Sequence, residues 1–248
     1  MGGLMGGGRP LLQVALDLTD TDEAVRVARA AAPHVDVVEA GTLLCLARGM
    51  AAVGALREAA PKARLLADIR IVRAGEKLAG LAFEAGADWV TVVAEAPRET
   101  LEAACEVAAA RGGEVQVELA DTFADEDARR WRDLGIRQVI AHNTAEHGTV
   151  GQGWSRRSLD DVARLAEHGF DVSVTGGIAP GTIPTFAGLP VHLFIAGRGI
   201  WAADDPAAAA RDYREAIAAL DGAATLDGTM ARDEAPRTAA SPGGGEGA

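Results

Sequence analysis

Residues 64–75, Arg-Leu-Leu-Ala-Asp-Ile-Arg-Ile-Val-Arg-Ala-Gly, set an acid and two guanidiniums at the end of an apolar run. The run, Leu65-Leu66-Ala67, has the character of a short buried strand. Charges at the mouth of such a strand are costly unless paired, bound to metal or turned into a wet pocket. Asp68, Arg70 and Arg73 are therefore candidate catalytic residues. Other apolar runs end in the same way, at Asp17, Glu39, Glu118 and His142, then at Thr175-Gly176-Gly177 and Gly197-Arg198. One Asp after a strand reads most simply as a helix cap. An acid or a histidine after five of the first six strands is hard to read as capping alone.

Each group suggests a chemistry. Glu39 and Asp68 lie on neighbouring strands, where two carboxylates can share a hard divalent cation, with magnesium the expectation, that keeps water and substrate oxygens as its other ligands. The plainer alternative pairs them with Arg70 or another arginine. Thr175, Gly176, Gly177, Gly197 and Arg198 suggest an anion cradle: glycine lets backbone N–H groups approach a phosphate, and arginine adds a charged fork. Lys62 and Lys77 are the only lysines. The first precedes a strand and the second falls inside a predicted helix, so imine chemistry, which needs an active-site lysine, is rejected.

The elements that must position these groups follow a rhythm. Apolar runs near 11–16, 35–38, 65–67, 89–93, 114–117, 138–141, 171–174 and 191–196 alternate with helical stretches near 21–32, 46–60, 74–85, 98–111, 125–134, 159–168, a short one from 180, and 205–220. Strands alternating with helices imply a parallel sheet. Eight such units predict an α/β single-domain (β/α)8 TIM barrel over residues 11–220, with its site at the C-terminal ends of the strands. A doubly wound sheet would want a Gly-rich first turn, which Leu16-Asp17-Leu18-Thr19 does not supply. Residues 1–10 read as a flexible, glycine-rich segment and 221–248 as a disordered tail.

The chain has 248 residues, 48% of them apolar, and a net charge of -12. That charge excludes a general nucleic-acid or membrane-surface binder but leaves room for a locally positive pocket. No apolar run is long enough to span a bilayer, the first residues lack the core of a signal peptide, and Cys45 and Cys105 have no metal-ligand spacing. The expectation is a cytoplasmic protein with reduced cysteines.

Five segments carry a resemblance: Leu12-Gln13-Val14-Ala15-Leu16-Asp17, Val38-Glu39-Ala40-Gly41-Thr42, Ala87-Asp88-Trp89-Val90-Thr91-Val92, Val174-Thr175-Gly176-Gly177 and Phe194-Ile195-Ala196-Gly197-Arg198. Together they resemble the orotidine 5'-phosphate decarboxylase superfamily, within it the 3-keto-L-gulonate 6-phosphate decarboxylases and their relatives the 3-hexulose 6-phosphate synthases. The resemblance implies a homodimer of barrels that binds Mg2+ and a small phosphorylated sugar and stabilises an enediolate. It implies Glu39 and Asp68 as metal ligands, Asp17 as a substrate contact, Glu118 and His142 on the proton-transfer side, and Gly177, Gly197 and Arg198 at the phosphate.

The departure falls on residues 64–75. The family pattern Asp-x-Lys-x-x-Asp is here Asp68-Ile69-Arg70-Ile71-Val72-Arg73, and the arginine that the decarboxylases carry shortly after the His142 position is missing. In the family, the second aspartate of the pattern reaches the partner's site. Arginine can stabilise an enediolate electrostatically, but with a pKa above about 12 it does not readily give up a proton. Protonation then falls to His142, His147 or water. Arg73 reverses the family's charge and favours a more anionic substrate. Decarboxylation, aldol cleavage and a catalytically degenerate sugar-phosphate-binding barrel are the readings this leaves. A pentulose-phosphate epimerase would want a His-x-Asp metal pair, which the third strand lacks.

Overall fold

The computed structural model describes residues 9–143 and 153–230. Eight parallel strands close into one barrel in sequence order: β1 Leu11–Leu16, β2 Val37–Ala40, β3 Arg64–Ile71, β4 Trp89–Val93, β5 Glu114–Glu118, β6 Gln138–His142, β7 Asp171–Thr175 and β8 Val191–Ala196. The helices are α1 Thr21–Ala31, α2 Thr42–Arg48, α3 Met50–Ala59, α4 Gly75–Glu84, α5 Arg98–Arg111, α6 Asp125–Asp133, α7 Arg156–Glu167, α8 Arg198–Trp201 and α9 Pro206–Met230. The (β/α)8 barrel is thus the architecture of the chain.

Several boundaries differ from the sequence reading: β2 is Val37–Ala40 rather than 35–38, and α7 begins at Arg156 rather than near 159. The helix expected over 46–60 is two, because Gly49 at φ 65° turns the chain between α2 and α3. The short helix expected from Pro180 is only a 3-10 turn, Ile183–Phe186, with Pro184 in its first turn. Strand β3 continues past Asp68 to Ile71 and carries Arg70 within it. Helix α9 continues past Asp221 to Met230, into the stretch expected as a disordered tail. The segment 1–8, His147 and residues 231–248 lie outside the described residues.

Two apolar layers hold the barrel. Between strands and helices, residues such as Leu12, Val38, Val90, Phe194, Trp131 and Tyr213 are fully or nearly fully buried. Inside the barrel a smaller cluster of Ala15, Val37, Leu66, Trp89, Ile140, Leu193 and Ile195 fills the axis. Barrel interiors stack in layers of four side chains from alternate strands. The strand registers put Gln13, Leu66, Gln116 and Ser173 at one such level. All four are completely buried. Three polar residues at this level are unusual, since branched apolar side chains dominate such layers.

The N-terminal end of the barrel is tied by matched charges. Asp36 accepts from the Leu12 amide at 2.9 Å and from Arg214 of α9. Asp88 repeats the device, accepting from the Leu65 amide at 2.7 Å and from Arg57 of α3. Glu114 accepts from Gln138 at 2.7 Å and from Arg137.

Candidate functional site

At the opposite end the strands deliver their acids to one spot. The residues there keep a single parity along each strand, which points them inward. Asp17, Glu39, Asp68, Arg70, Glu118, His142 and Thr175 all line this pocket. It opens into a cleft of about 590 Å³ whose far wall is Gly176, Gly177, Gly197 and Arg198. Eleven of the twelve sequence-derived site residues thus meet along one continuous surface. Arg73 does not: it is exposed beyond the end of β3, lines neither space, and has no ion pair among the described residues.

The two central carboxylates are held differently. Asp68 is 5% exposed. It accepts from the Thr42 hydroxyl and from Thr91 Oγ1 at 2.7 Å, and lies 3.5 Å from Arg70 Nε. Glu39 is 6% exposed, and its hydrogen bond among the described residues comes from Gln13 Nε2. Asp17 sits just past β1 and accepts a long bond, 3.4 Å, from the Leu43 amide. Gly41 makes that approach possible: a Cβ there would collide with Asp17 Oδ1.

Arg70 is the cation of this cluster. Its Nη2 lies 2.9 Å from Glu118 Oε1. Its backbone has φ 43°, a left-handed conformation rare for a non-glycine residue, in the stretch where the β3–β4 register breaks. Its amide donates to Thr91 Oγ1 at 2.9 Å, and that same hydroxyl donates to Asp68. Thr91 therefore locks the strained residue beside the acid it pairs with. Strain of this kind persists where the surroundings over-determine it, typically at functional sites.

One guanidinium does not balance four carboxylates. Burial pushes Glu39 well above the usual carboxylate range, and the nearby charges of Asp68 and Asp17 push it further. Burial and Asp68 raise Glu118 to about 7 against the opposing pull of Arg70. Asp17 is also raised, chiefly by burial. For Arg70, burial pulls the pKa down but the surrounding carboxylates outweigh it, so the guanidinium stays charged. No group of three or more His, Cys, Asp and Glu among the described residues forms a metal cage by itself. Two hard carboxylates amid excess negative charge nonetheless suit a divalent cation completed by water and substrate oxygens. Glu39 and Asp68 fit that role.

His142 closes the site on the β6 side. Its Nδ1 lies 3.0 Å from the Asn143 carbonyl; a carbonyl only accepts, so Nδ1 carries the proton and Nε2 is the basic nitrogen. Across the cleft, Gly176 and Gly177 have φ 91° and 73°. A Cβ on Gly176 would also lie 2.9 Å from Asn143 Cβ. Two aromatic side chains that the sequence reading left aside brace this cradle. Trp154 Nε1 donates to the Gly176 carbonyl at 3.1 Å, and the Tyr213 hydroxyl to the Ile178 carbonyl at 2.9 Å. Thr42, Thr91 and Gln13 were missed as well. Inward strand parity was the available signal for Gln13 and Thr91; for Trp154 and Tyr213 the sequence held none.

Comparison with known proteins agrees with this geometry. Residues 10–213 match the family model described as orotidine 5'-phosphate decarboxylase / HUMPS family. A 3-keto-L-gulonate-6-phosphate decarboxylase of Salmonella typhi is 43% identical over 213 residues, 86% of this chain and 99% of that protein. The crystal structure of KGPDC from Streptococcus mutans superposes with a TM-score of 0.81 at 38% identity, covering 87% of this chain and 100% of that one. The 3-hexulose-6-phosphate synthase of Salmonella typhimurium gives 0.76 at 27% identity, covering 85% and 99%. With its barrel, its strand-end acids and these relatives, the chain belongs to the orotidine 5'-phosphate decarboxylase / HUMPS family.

Proposed function

We propose that this chain is a carbon–carbon lyase that decarboxylates 3-keto-L-gulonate 6-phosphate or a closely related phosphorylated keto-sugar acid. The observation that carries the reading is the two-sided cleft: carboxylates and Arg70 on one wall, the Gly176-Gly177 and Gly197-Arg198 cradle on the other. The relatives named for this reaction support it.

The cradle binds the phosphate through backbone N–H groups and Arg198, which fixes the sugar across the cleft. Asp17 accepts hydrogen bonds from sugar hydroxyls. Loss of carbon dioxide leaves an electron pair on carbon that spreads onto the neighbouring carbonyl oxygen as an enediolate. Arg70 stabilises that charge as a fixed, preorganised cation; it donates no proton. The proton returns to carbon from Nε2 of His142 in its imidazolium form or from a water that Nε2 orders, and Glu118, raised to about 7, can hold a proton beside Arg70 at neutral pH. Glu39 and Asp68 would hold magnesium, which supplies Lewis-acid stabilisation of substrate oxygens when bound.

The reading includes a cytoplasmic homodimer. Leu43, which lines the cleft, Leu46 further along α2 and Val72 just past β3 are 52%, 80% and 53% exposed, a surface suited to a second copy that would also receive Arg73. Both cysteines are free, as a reducing compartment requires. Among the described residues no helix is long and apolar enough to cross a membrane.

The test is carbon dioxide release from 3-keto-L-gulonate 6-phosphate, with magnesium and with a chelator; magnesium-dependent release is expected. One observation favours a second reading. Arg70 is already paired with both Asp68 and Glu118, as in a barrel that binds sugar phosphates without turnover. That reading predicts binding with no carbon dioxide and, from a hexulose phosphate, no aldol cleavage.

A further inference from the structure

We infer that Gln13 is a positioning residue for Glu39: its buried amide holds the carboxylate from beneath so that the opposite oxygen is presented to a divalent cation. The inference rests on the metal reading given above for Glu39 and Asp68.

The two acids differ in how they are restrained. Asp68 is fixed by two hydroxyls and a guanidinium, so losing one leaves the others. Glu39 takes its hydrogen bond among the described residues from Gln13 Nε2 to Oε2. Its Oε1 has no protein partner there. A carboxylate that binds a metal cannot donate, so toward that form the amide presents its nitrogen and leaves its oxygen facing away from Glu39. Gln13 Oε1 is accordingly buried with no partner.

Gln116 Oε1 and Ser173 Oγ at the same level are likewise without a protein partner, so what sets Gln13 apart is its hydrogen bond to Glu39. Gln13 is completely buried, level with Leu66, Gln116 and Ser173. A methionine of similar length would fill the space without burying an unpaired polar atom, which is costly. The residue therefore serves Glu39. Groups that orient a metal ligand from behind typically contribute 10–100-fold in metal affinity or activity.

The experiment uses the full chain and Mn2+ as the probe, with bound ion followed by electron paramagnetic resonance alongside thermal unfolding. Gln13→Met is expected to weaken Mn2+ binding about tenfold or more, with a melting temperature close to wild type. Gln13→Asn keeps the amide but is one methylene short, and should lose affinity as Gln13→Met does. Ser173→Ala, at the same level but away from Glu39, should bind as wild type. Wild-type affinity in a folded Gln13→Met, or weak binding in Ser173→Ala equal to that of Gln13→Met, would overturn the positioning role. Should Gln13→Met not fold, Gln13→Asn decides: wild-type affinity there overturns the role and tenfold weaker binding supports it. Failure of the wild type itself to bind Mn2+, or full binding by Glu39→Gln, would instead overturn the metal reading on which the inference stands.

Discussion

The two ends of the barrel use the same residue types for opposite purposes. At the N-terminal end three carboxylates each have an arginine and another donor: Asp36 with Arg214 and the Leu12 amide, Asp88 with Arg57 and the Leu65 amide, Glu114 with Arg137 and Gln138. None of these three needs anything from outside the chain. At the C-terminal end Asp17, Glu39, Asp68 and Glu118 share Arg70, and that arginine is held in a strained backbone. The first set closes a fold. The second is kept at a cost in stability, as expected of groups whose balance is completed by a ligand.

The comparison can be broken most forcefully at its two arginines. Arg70→Ala should lower kcat about 10²–10³-fold, the size of effect seen when one preorganised donor is lost, and should also lower the melting temperature of the metal-free protein because it leaves Asp68 and Glu118 without their cation; steady-state carbon dioxide release and calorimetry read both. Next, Gly176→Ala forces a side chain into φ 91° and against Asn143. With about 1–2 kcal/mol of strain, KM for the sugar phosphate should rise about tenfold with a smaller change in kcat. In contrast to Arg70→Ala, Arg57→Ala acts on stability alone. It removes bonds to Asp88 and to the Gly86 and Ala63 carbonyls, and should cost about 1–3 kcal/mol in urea unfolding with kcat unchanged.

The smallest effect is in pH. Glu118 is raised from 4.5 to about 7 in the folded chain. Between those values the folded protein holds a proton that the unfolded chain has released. The contribution is therefore fully present below about pH 4.5 and is lost as pH rises toward 7. Urea midpoints of the metal-free protein at pH 5 and pH 8 should differ in that direction, and Glu118→Gln should narrow the difference.

Much of this contrast was legible in the sequence. Apolar runs ending in Asp17, Glu39, Asp68, Glu118 and His142 mark both the barrel and the rim that carries the site, because strand alternation and the cost of buried charge act locally. What stayed hidden depends on contacts distant in sequence. Thr91 became visible only when β4 lay beside β3, and Trp154 and Tyr213 only when the helices returned to the cradle. Arg73 was grouped with Arg70 by proximity. Yet Arg70 shares the strand parity of Asp68 and Arg73 lies past the strand's end, so pleat geometry separates them. The stretch past Asp221 carries no apolar period, which reads as a tail, and α9 nonetheless extends into it to Met230.

Glu39→Gln tests the central claim most directly, because it removes one charge from the crowded end and preserves shape and the acceptor for Gln13. Thermal unfolding of the metal-free protein at pH 8 and turnover with magnesium would be measured on the same preparation. The account predicts a higher melting temperature than wild type together with loss of turnover of at least a hundredfold. A lower melting temperature with turnover retained would mean that Glu39 belongs with Asp36 and Asp88 as a structural acid, and would contradict it.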